Sequence, residues 1–229
     1  MHDVTIPAEV RDRIVARRGH FEMFDKVDPA RTALLIVDMQ KAFVDEGAPI
    51  EVPAARGIIP NVNRLARAAR GAGSKVIWIQ MTVWEKDGAN SWPLFYAHFA
   101  TPEFGRKHLA ALTDGSRLHA LADKLDIEES DLRVTKSRFS AFIQGSSPIE
   151  GVLREHGIDT ITIAGTLTNR CCESSARDAM MLGYKVILVE DANATTSNEE
   201  QLAALVNVAT AFGDVRTTDA VIAMLTADG

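Results

Sequence analysis

The chain has 229 residues, 46% hydrophobic and 24% charged, with a formal net charge of −6 at pH 7. That acidic balance argues against nucleic acid or an anionic membrane as the main partner, and no apolar run approaches the about 20 residues of a membrane span. A chain this long buries roughly 70% of the surface its unfolded form exposes, so its core needs neither disulfide nor structural metal.

The beginning, Met1-His2-Asp3-Val4, carries no apolar stretch of a signal peptide, and a cytoplasmic protein is expected. Residues 1–30 are polar, with Arg11, Arg13, Arg17 and Arg18 in the middle of a helical stretch at Glu9–Arg18. They read as an N-terminal arm docked on the body or on a neighbouring subunit, with anion binding by the arginines as the less favoured reading. Residues 31–229 read as a single domain. Its apolar runs at Ala33–Asp38, Lys75–Gln80, Leu132–Lys136, Thr160–Ala164 and Lys185–Glu190 have strand length, and a weaker one lies at Asp214–Arg216. Being rich in Val and Ile and mostly apolar on both faces, they suit a covered parallel sheet. Helical periods fall between them at Asn61–Ala72, Pro148–His156, Cys171–Leu182 and Ser197–Phe212, the last three followed by Gly157, Gly183 and Gly213. The alternation predicts right-handed βαβ units in an α/β protein, a three-layer α/β/α sandwich with a mainly parallel, roughly six-stranded, Rossmann-like sheet. Residues 81–125 are irregular and concentrate Trp84, Trp92, Phe95, Tyr96, Phe99 and Phe104, a lid or pocket wall with some helix.

Ligands of open α/β sheets sit at the carboxyl ends of the strands. Asp38 closes the first strand, Lys136 the third, and Cys171 follows the fourth after the turn 165–170. A thiol, an ammonium and a carboxylate at one rim can form a nucleophilic unit in which the lysine favours the thiolate and the aspartate moves the proton. Cys171 also stands where the next helix should start, and a helix N-terminus lowers a thiol pKa and offers free N–H groups to an oxyanion. Taken singly, each residue has a plainer role: a small buried hydrophobe, a turn residue, a solvated lysine. Adjacent helical residues point about 100° apart, so Cys172 is assigned to packing. Cys171 to Arg177 has the C-x5-R spacing of a cysteine-phosphatase loop, but six residues separate the strand from the cysteine, and Glu173 would repel a phosphate. The six histidines show no metal-ligand spacing, and no glycine-rich nucleotide loop is present. No metal or cofactor is expected.

The segments Ala33-Leu34-Leu35-Ile36-Val37-Asp38-Met39-Gln40, Phe43, Lys136 and residues 165–179, GTLTNRCCESSARDA, resemble the isochorismatase-like cysteine hydrolases. The resemblance implies a catalytic triad of Asp38, Lys136 and Cys171, a cis peptide bond at Thr166–Leu167, and an oxyanion hole from the Leu167 and Cys171 N–H groups. It also implies a homo-oligomer, a dimer or tetramer. The region Gln80-Met81-Thr82-Val83-Trp84-Glu85-Lys86 lacks the Asp and His metal ligands of nicotinamidase-type members.

Lys136-Ser137-Arg138-Phe139-Ser140-Ala141-Phe142 with Cys171-Cys172-Glu173-Ser174 most resembles the ureidoacrylate and N-carbamoyl (ureido) amidohydrolase branch, beside biuret and triuret hydrolases. The implied activity is cysteine-dependent cleavage of the C–N bond of a small ureido or linear amide through a thioester. Alternatives are an isochorismatase-type vinyl-ether hydrolase and a non-catalytic regulatory protein on the same fold. A planar urea-like substrate wants aromatic walls and amide or hydroxyl partners. Phe43, Trp84, Phe139 and Phe142 are the candidate walls; Gln40, Gln80, Asn90 and Ser140 are the candidate polar partners. Arg138 is the candidate clamp for a substrate carboxylate, with a structural ion pair weighed equally.

Overall fold

The computed structural model describes residues 2–227. In chain order its elements are α1 (Ala8–Arg18), β1 (Thr32–Val37), α2 (Lys41–Val44), α3 (Ala55–Gly71), β2 (Lys75–Met81), the two short strands β3 (Glu85–Lys86) and β4 (Ala89–Asn90), α4 (Pro93–His98), α5 (Pro102–Leu112), β5 (Leu132–Lys136), α6 (Ile149–Glu155) and β6 (Thr160–Thr166). A π-helical turn (Thr168–Cys172) then leads into α7 (Glu173–Met181). There follow β7 (Lys185–Ala194), α8 (Asn198–Asn207) with a second π turn (Val208–Phe212), β8 (Asp214–Arg216) and α9 (Thr218–Thr226).

The six longer runs form one parallel sheet in the order β5-β2-β1-β6-β7-β8. Every residue of the central strands β1 and β6 is buried, which is why β1 is apolar without alternation. Leu34 and Ile36 of β1 face a core layer built on Ile58, Val62 and Leu65 of α3 and Val221 and Leu225 of α9. Ala33, Leu35 and Val37 face the opposite layer, where Ile149 and Leu153 of α6, Ala176 and Ala179 of α7 and Leu205 of α8 pack. Helices therefore cover both faces, and the architecture is the three-layer α/β sandwich expected from the strand and helix alternation.

The arm lies on this body. Ile6, Val10 and Ile14 are buried in the second layer, and the Met23 and Phe24 N–H groups donate to the Asp214 carboxylate at 2.8 to 2.9 Å. Three of its four arginines are engaged within the chain: Arg11 covers the Phe21 ring, Arg17 donates to Thr210 O and Arg18 to Ala209 O.

Several elements differ from the sequence reading, two of them helices that cover the sheet. Helix α3 begins at Ala55 rather than Asn61, with Pro60 inside it; burial of Ile58 and Ile59 against the sheet outweighs the hydrogen bond that proline cannot make. Helix α9 was not expected at all, although Thr217 accepts the Ala220 N–H at 3.2 Å as an N-cap and Val221 and Leu225 share its buried face.

Candidate active site

The carboxyl ends of β1, β5 and β6 bring together residues far apart in the chain. Asp38 follows β1 directly, in the left-handed region at φ 51°. Its N–H donates to Ile79 O and its carbonyl accepts Thr166 Oγ1, both at 2.8 Å. Beside it, Gly165 sits at φ 121°, and a Cβ there would stand 2.1 Å from Val37 O, so only glycine lets the two central strands approach at this level. The Thr166–Leu167 peptide bond is cis. The π turn after it, closed by Cys172 N–H to Leu167 O at 3.2 Å, places Cys171 at the rim one turn ahead of α7; such turns recur at functional sites.

From the sheet edge, Lys136 reaches past Met81 to the centre. Its Nζ lies 2.7 Å from Asp38 Oδ2 and 3.3 Å from Cys171 Sγ, and donates to Arg138 O at 3.2 Å. All three side chains are buried, Cys171 with 4% of its surface exposed. Burial works against the Lys136 ammonium, but the charges of Asp38 and Cys171 outweigh it and the pKa is raised. Burial and then the Asp38 charge push the Cys171 thiol up to about 12 despite Lys136. A lysine and a helix start would lower the thiol pKa; the sulfur is instead desolvated beside a carboxylate, and the regular helix begins only at Glu173. Burial beside Asp38 thus favours the thiol form of Cys171, while Asp38 and Cys171 favour the ammonium form of Lys136. Neither Asp38 oxygen has a hydrogen bond of good geometry among the described residues. A buried carboxylate with spare lone pairs beside a thiol is a ready proton acceptor.

A cavity of about 350 Å³ opens onto Cys171 and Leu167, at the small end of ligand pockets, which run about 300–1,000 Å³. Phe43, Ile50, Val52, Phe95, Phe104 and Phe139 supply apolar walls; Glu51, His108, Arg170 and Thr196 supply the polar groups. His108 is nearly buried, accepts from or donates to Tyr96 Oη at 2.9 Å, and has its pKa lowered to about 4 by burial and then by the Lys136 charge, so it is neutral.

Two of the expected pocket residues, Phe43 and Phe139, line this cavity. The others do not. Gln40 is buried with its amide committed to Met81 and His119 backbone groups at 2.8 to 3.0 Å, and Gln80 likewise donates to His119 O at 3.0 Å. Trp84 is exposed. Asn90 accepts the Trp92 N–H at 3.0 Å within the β3–β4 segment. Ser140 accepts the Phe142 N–H at 3.1 Å and so shapes its own loop. Phe142 packs in the second core layer against Tyr184. The Arg138 guanidinium donates to Ser137 O at 2.7 Å and lies over the Trp92 ring; what it offers the site is its carbonyl, to Lys136. Cys172 is fully buried in the core, as its packing assignment requires. Arg177 pairs with Glu173 at 2.6 Å and stacks on Phe212, so the C-x5-R spacing forms no anion loop.

Residues 32–220 match the model of the Isochorismatase domain. The chain belongs to the isochorismatase family. It is 35% identical over 201 residues to the ureidoacrylate amidohydrolase RutB of Klebsiella pneumoniae, an alignment covering 81% of this chain and 83% of that protein. Among solved structures it resembles a cysteine hydrolase from Pseudomonas syringae pv. phaseolicola, with a TM-score of 0.79 and 29% identity, covering 89% of this chain and 96% of the other. An N-carbamoylsarcosine amidase from Thermoplasma acidophilum shares the fold at a TM-score of 0.66 and 21% identity, over 82% and 97% of the two chains. Among the described residues no helix is long and apolar enough to cross a membrane.

Proposed function

We propose that this protein is a cysteine-dependent amidohydrolase that cleaves the C–N bond of a small ureido compound or linear amide, with Cys171 as nucleophile, Asp38 as proton carrier and Lys136 as fixed countercharge. The chain is a hydrolase of carbon–nitrogen bonds other than peptide bonds, as its similarity to the ureidoacrylate amidohydrolase supports. The observation that carries the cysteine mechanism is the contact of one ammonium with both a carboxylate and a thiol at the foot of the cavity.

The raised thiol pKa fits a particular order of events. With the thiol form favoured by burial, the S–H proton passes to Asp38 as sulfur bonds to the carbonyl carbon. The oxygen gains the electron pair and is met by the N–H groups of Leu167 and Cys171; the Leu167 N–H has no acceptor among the described residues. The tetrahedral species then breaks its C–N bond, Asp38 returns the proton to the departing nitrogen, and ammonia or an amine leaves a thioester on Cys171. Water attacks the thioester and gives its proton to Asp38, the C–S bond breaks, and the sulfur takes that proton back. Lys136 stays an ammonium throughout and stabilises negative charge on sulfur at each passage.

Phe43, Phe139 and the walls contributed by α4 and α5 suit a planar substrate. We place the protein in the cytoplasm as a homo-oligomer. Leu94 and Phe99, exposed beside the cavity, support a covered face of that kind, and size-exclusion chromatography with light scattering reads the assembly. The activity is tested by ammonia release from ureidoacrylate, N-carbamoyl amino acids, biuret, triuret, nicotinamide and maleamate. Turnover of a ureido compound that disappears in a folded Cys171→Ala variant supports the reading; turnover of none of the panel, or of nicotinamide alone, overturns it.

A further inference from the structure

The charges around the cavity are settled within the protein, with one exception. Asp38 and Lys136 neutralise each other at its foot. Glu51 on the wall is bound by Arg56 at 2.7 Å and by the Gly47 N–H at 2.8 Å. His108 opposite carries no charge near neutral pH. Arg170 remains. It immediately precedes the nucleophile and lines both the cavity and an adjoining hollow of about 460 Å³ that shares Phe95 and Phe139 with it. Its guanidinium makes no hydrogen bond and no ion pair with any described residue. The carboxylate whose field reaches it, Glu200 on α8, is held by the hydroxyls of Thr196 and Thr195.

We infer that Arg170 is a specificity-determining residue that holds the carboxylate of an anionic substrate, so that the enzyme prefers ureido acids to neutral ureas such as biuret. This rests on the amidohydrolase reading above and assigns to Arg170 the role the sequence suggested for Arg138. An uncommitted guanidinium presents a fork of N–H donors that matches a carboxylate in two parallel hydrogen bonds. Cys171, the phenylalanine walls and Arg170 line one cavity, so a ureido group with its carbonyl at Cys171 and an apolar or unsaturated spacer can offer a terminal carboxylate to Arg170. A neutral urea oligomer leaves the cation without a partner and gains nothing from it. Because Arg170 is exposed to solvent, the contact is screened and worth about two- to fivefold in affinity rather than more.

The test compares ureidoacrylate with its methyl ester in the wild type, Arg170→Gln and Arg170→Lys. The acid-to-ester ratio of kcat/KM should fall about two- to fivefold in Arg170→Gln through KM, with Arg170→Lys between that variant and the wild type. A second reading needs no turnover: alkylation of Cys171 by iodoacetate against iodoacetamide, followed by mass spectrometry of the labelled peptide. Wild type should favour the anionic reagent over the neutral one more strongly than Arg170→Gln by a similar factor. A wild type that turns over no member of the ureido and amide panel overturns the amidohydrolase reading, while the alkylation ratio still decides Arg170; one that turns over biuret but neither ureidoacrylate nor its ester overturns the inference alone. Unchanged ratios in both assays, or a Cys171 that neither reagent reaches, overturn the inference.

Discussion

Replacing Lys136 by methionine keeps an unbranched side chain one atom shorter and removes the ammonium that faces Asp38 at 2.7 Å, with both side chains fully buried. Breaking a buried pair by taking one partner away costs about 3–5 kcal/mol, because the remaining charge is left in a medium that cannot solvate it. For a chain of this size each kcal/mol moves Tm by roughly 2–4 °C, so the melting temperature should fall by roughly 6–20 °C. Adding Asp38→Asn removes the stranded charge as well. The double variant should then be more stable than Lys136→Met alone, with a coupling of about 2 kcal/mol or more. Urea unfolding of the wild type, the two single variants and the double variant gives all four corners of that cycle. Lys136→Met costing under about 1 kcal/mol, or costs that simply add, would refute the view that the pair is a closed, desolvated unit.

Two further outcomes follow from the same geometry. Gly165→Ala forces a Cβ to within 2.1 Å of Val37 O and 2.7 Å of Val37 N at a φ of +121°, which should cost more than about 4 kcal/mol; circular dichroism of the purified variant should show little folded protein, and a wild-type Tm would contradict the packing. His108 titrates at about 4 in the fold against 6.5 in a free chain. Between those values the unfolded chain holds one more proton, so stability is full above pH 6.5 and falls as the pH drops toward 4, by about 3 kcal/mol in all. Urea midpoints at pH 7.5 and 4.5 should therefore differ more in the wild type than in His108→Gln, and equal pH dependence would exclude His108 as the cause.

Strands β1 and β2 were legible because both of their faces are buried, which leaves an unbroken apolar run in the sequence; Asp38 and Lys136 were legible because they stand where strands stop, and Cys171 because it follows the turn after β6. The wall of the cavity was not. It is built by residues 48–52 before α3 and by α4 and α5 of the irregular stretch, whose aromatic content is visible but whose direction is set only by tertiary packing. That is how Phe95 and Phe104 came to line the cavity while Trp84, equally conspicuous in the sequence, is exposed. Gln40 and Gln80 look like substrate partners because they flank strand ends, yet an amide in that position satisfies the backbone of residues 81 and 119 first, as buried polar groups must. Arg170 carried one usable signal, a cation directly beside the cysteine with no acid at i±4 to pair with it. The thiol pKa was misjudged for a related reason: a helix start and a lysine are visible in the sequence, whereas desolvation is not.

The most direct measurement is intact-protein mass spectrometry of enzyme quenched during turnover of ureidoacrylate. An acyl adduct mapping to Cys171, absent from a Cys171→Ala variant whose kcat/KM is lower by about 10⁴-fold or more, is the result expected. A Cys171→Ala enzyme that keeps its rate to within about tenfold, with no adduct formed on the wild type, would contradict the account.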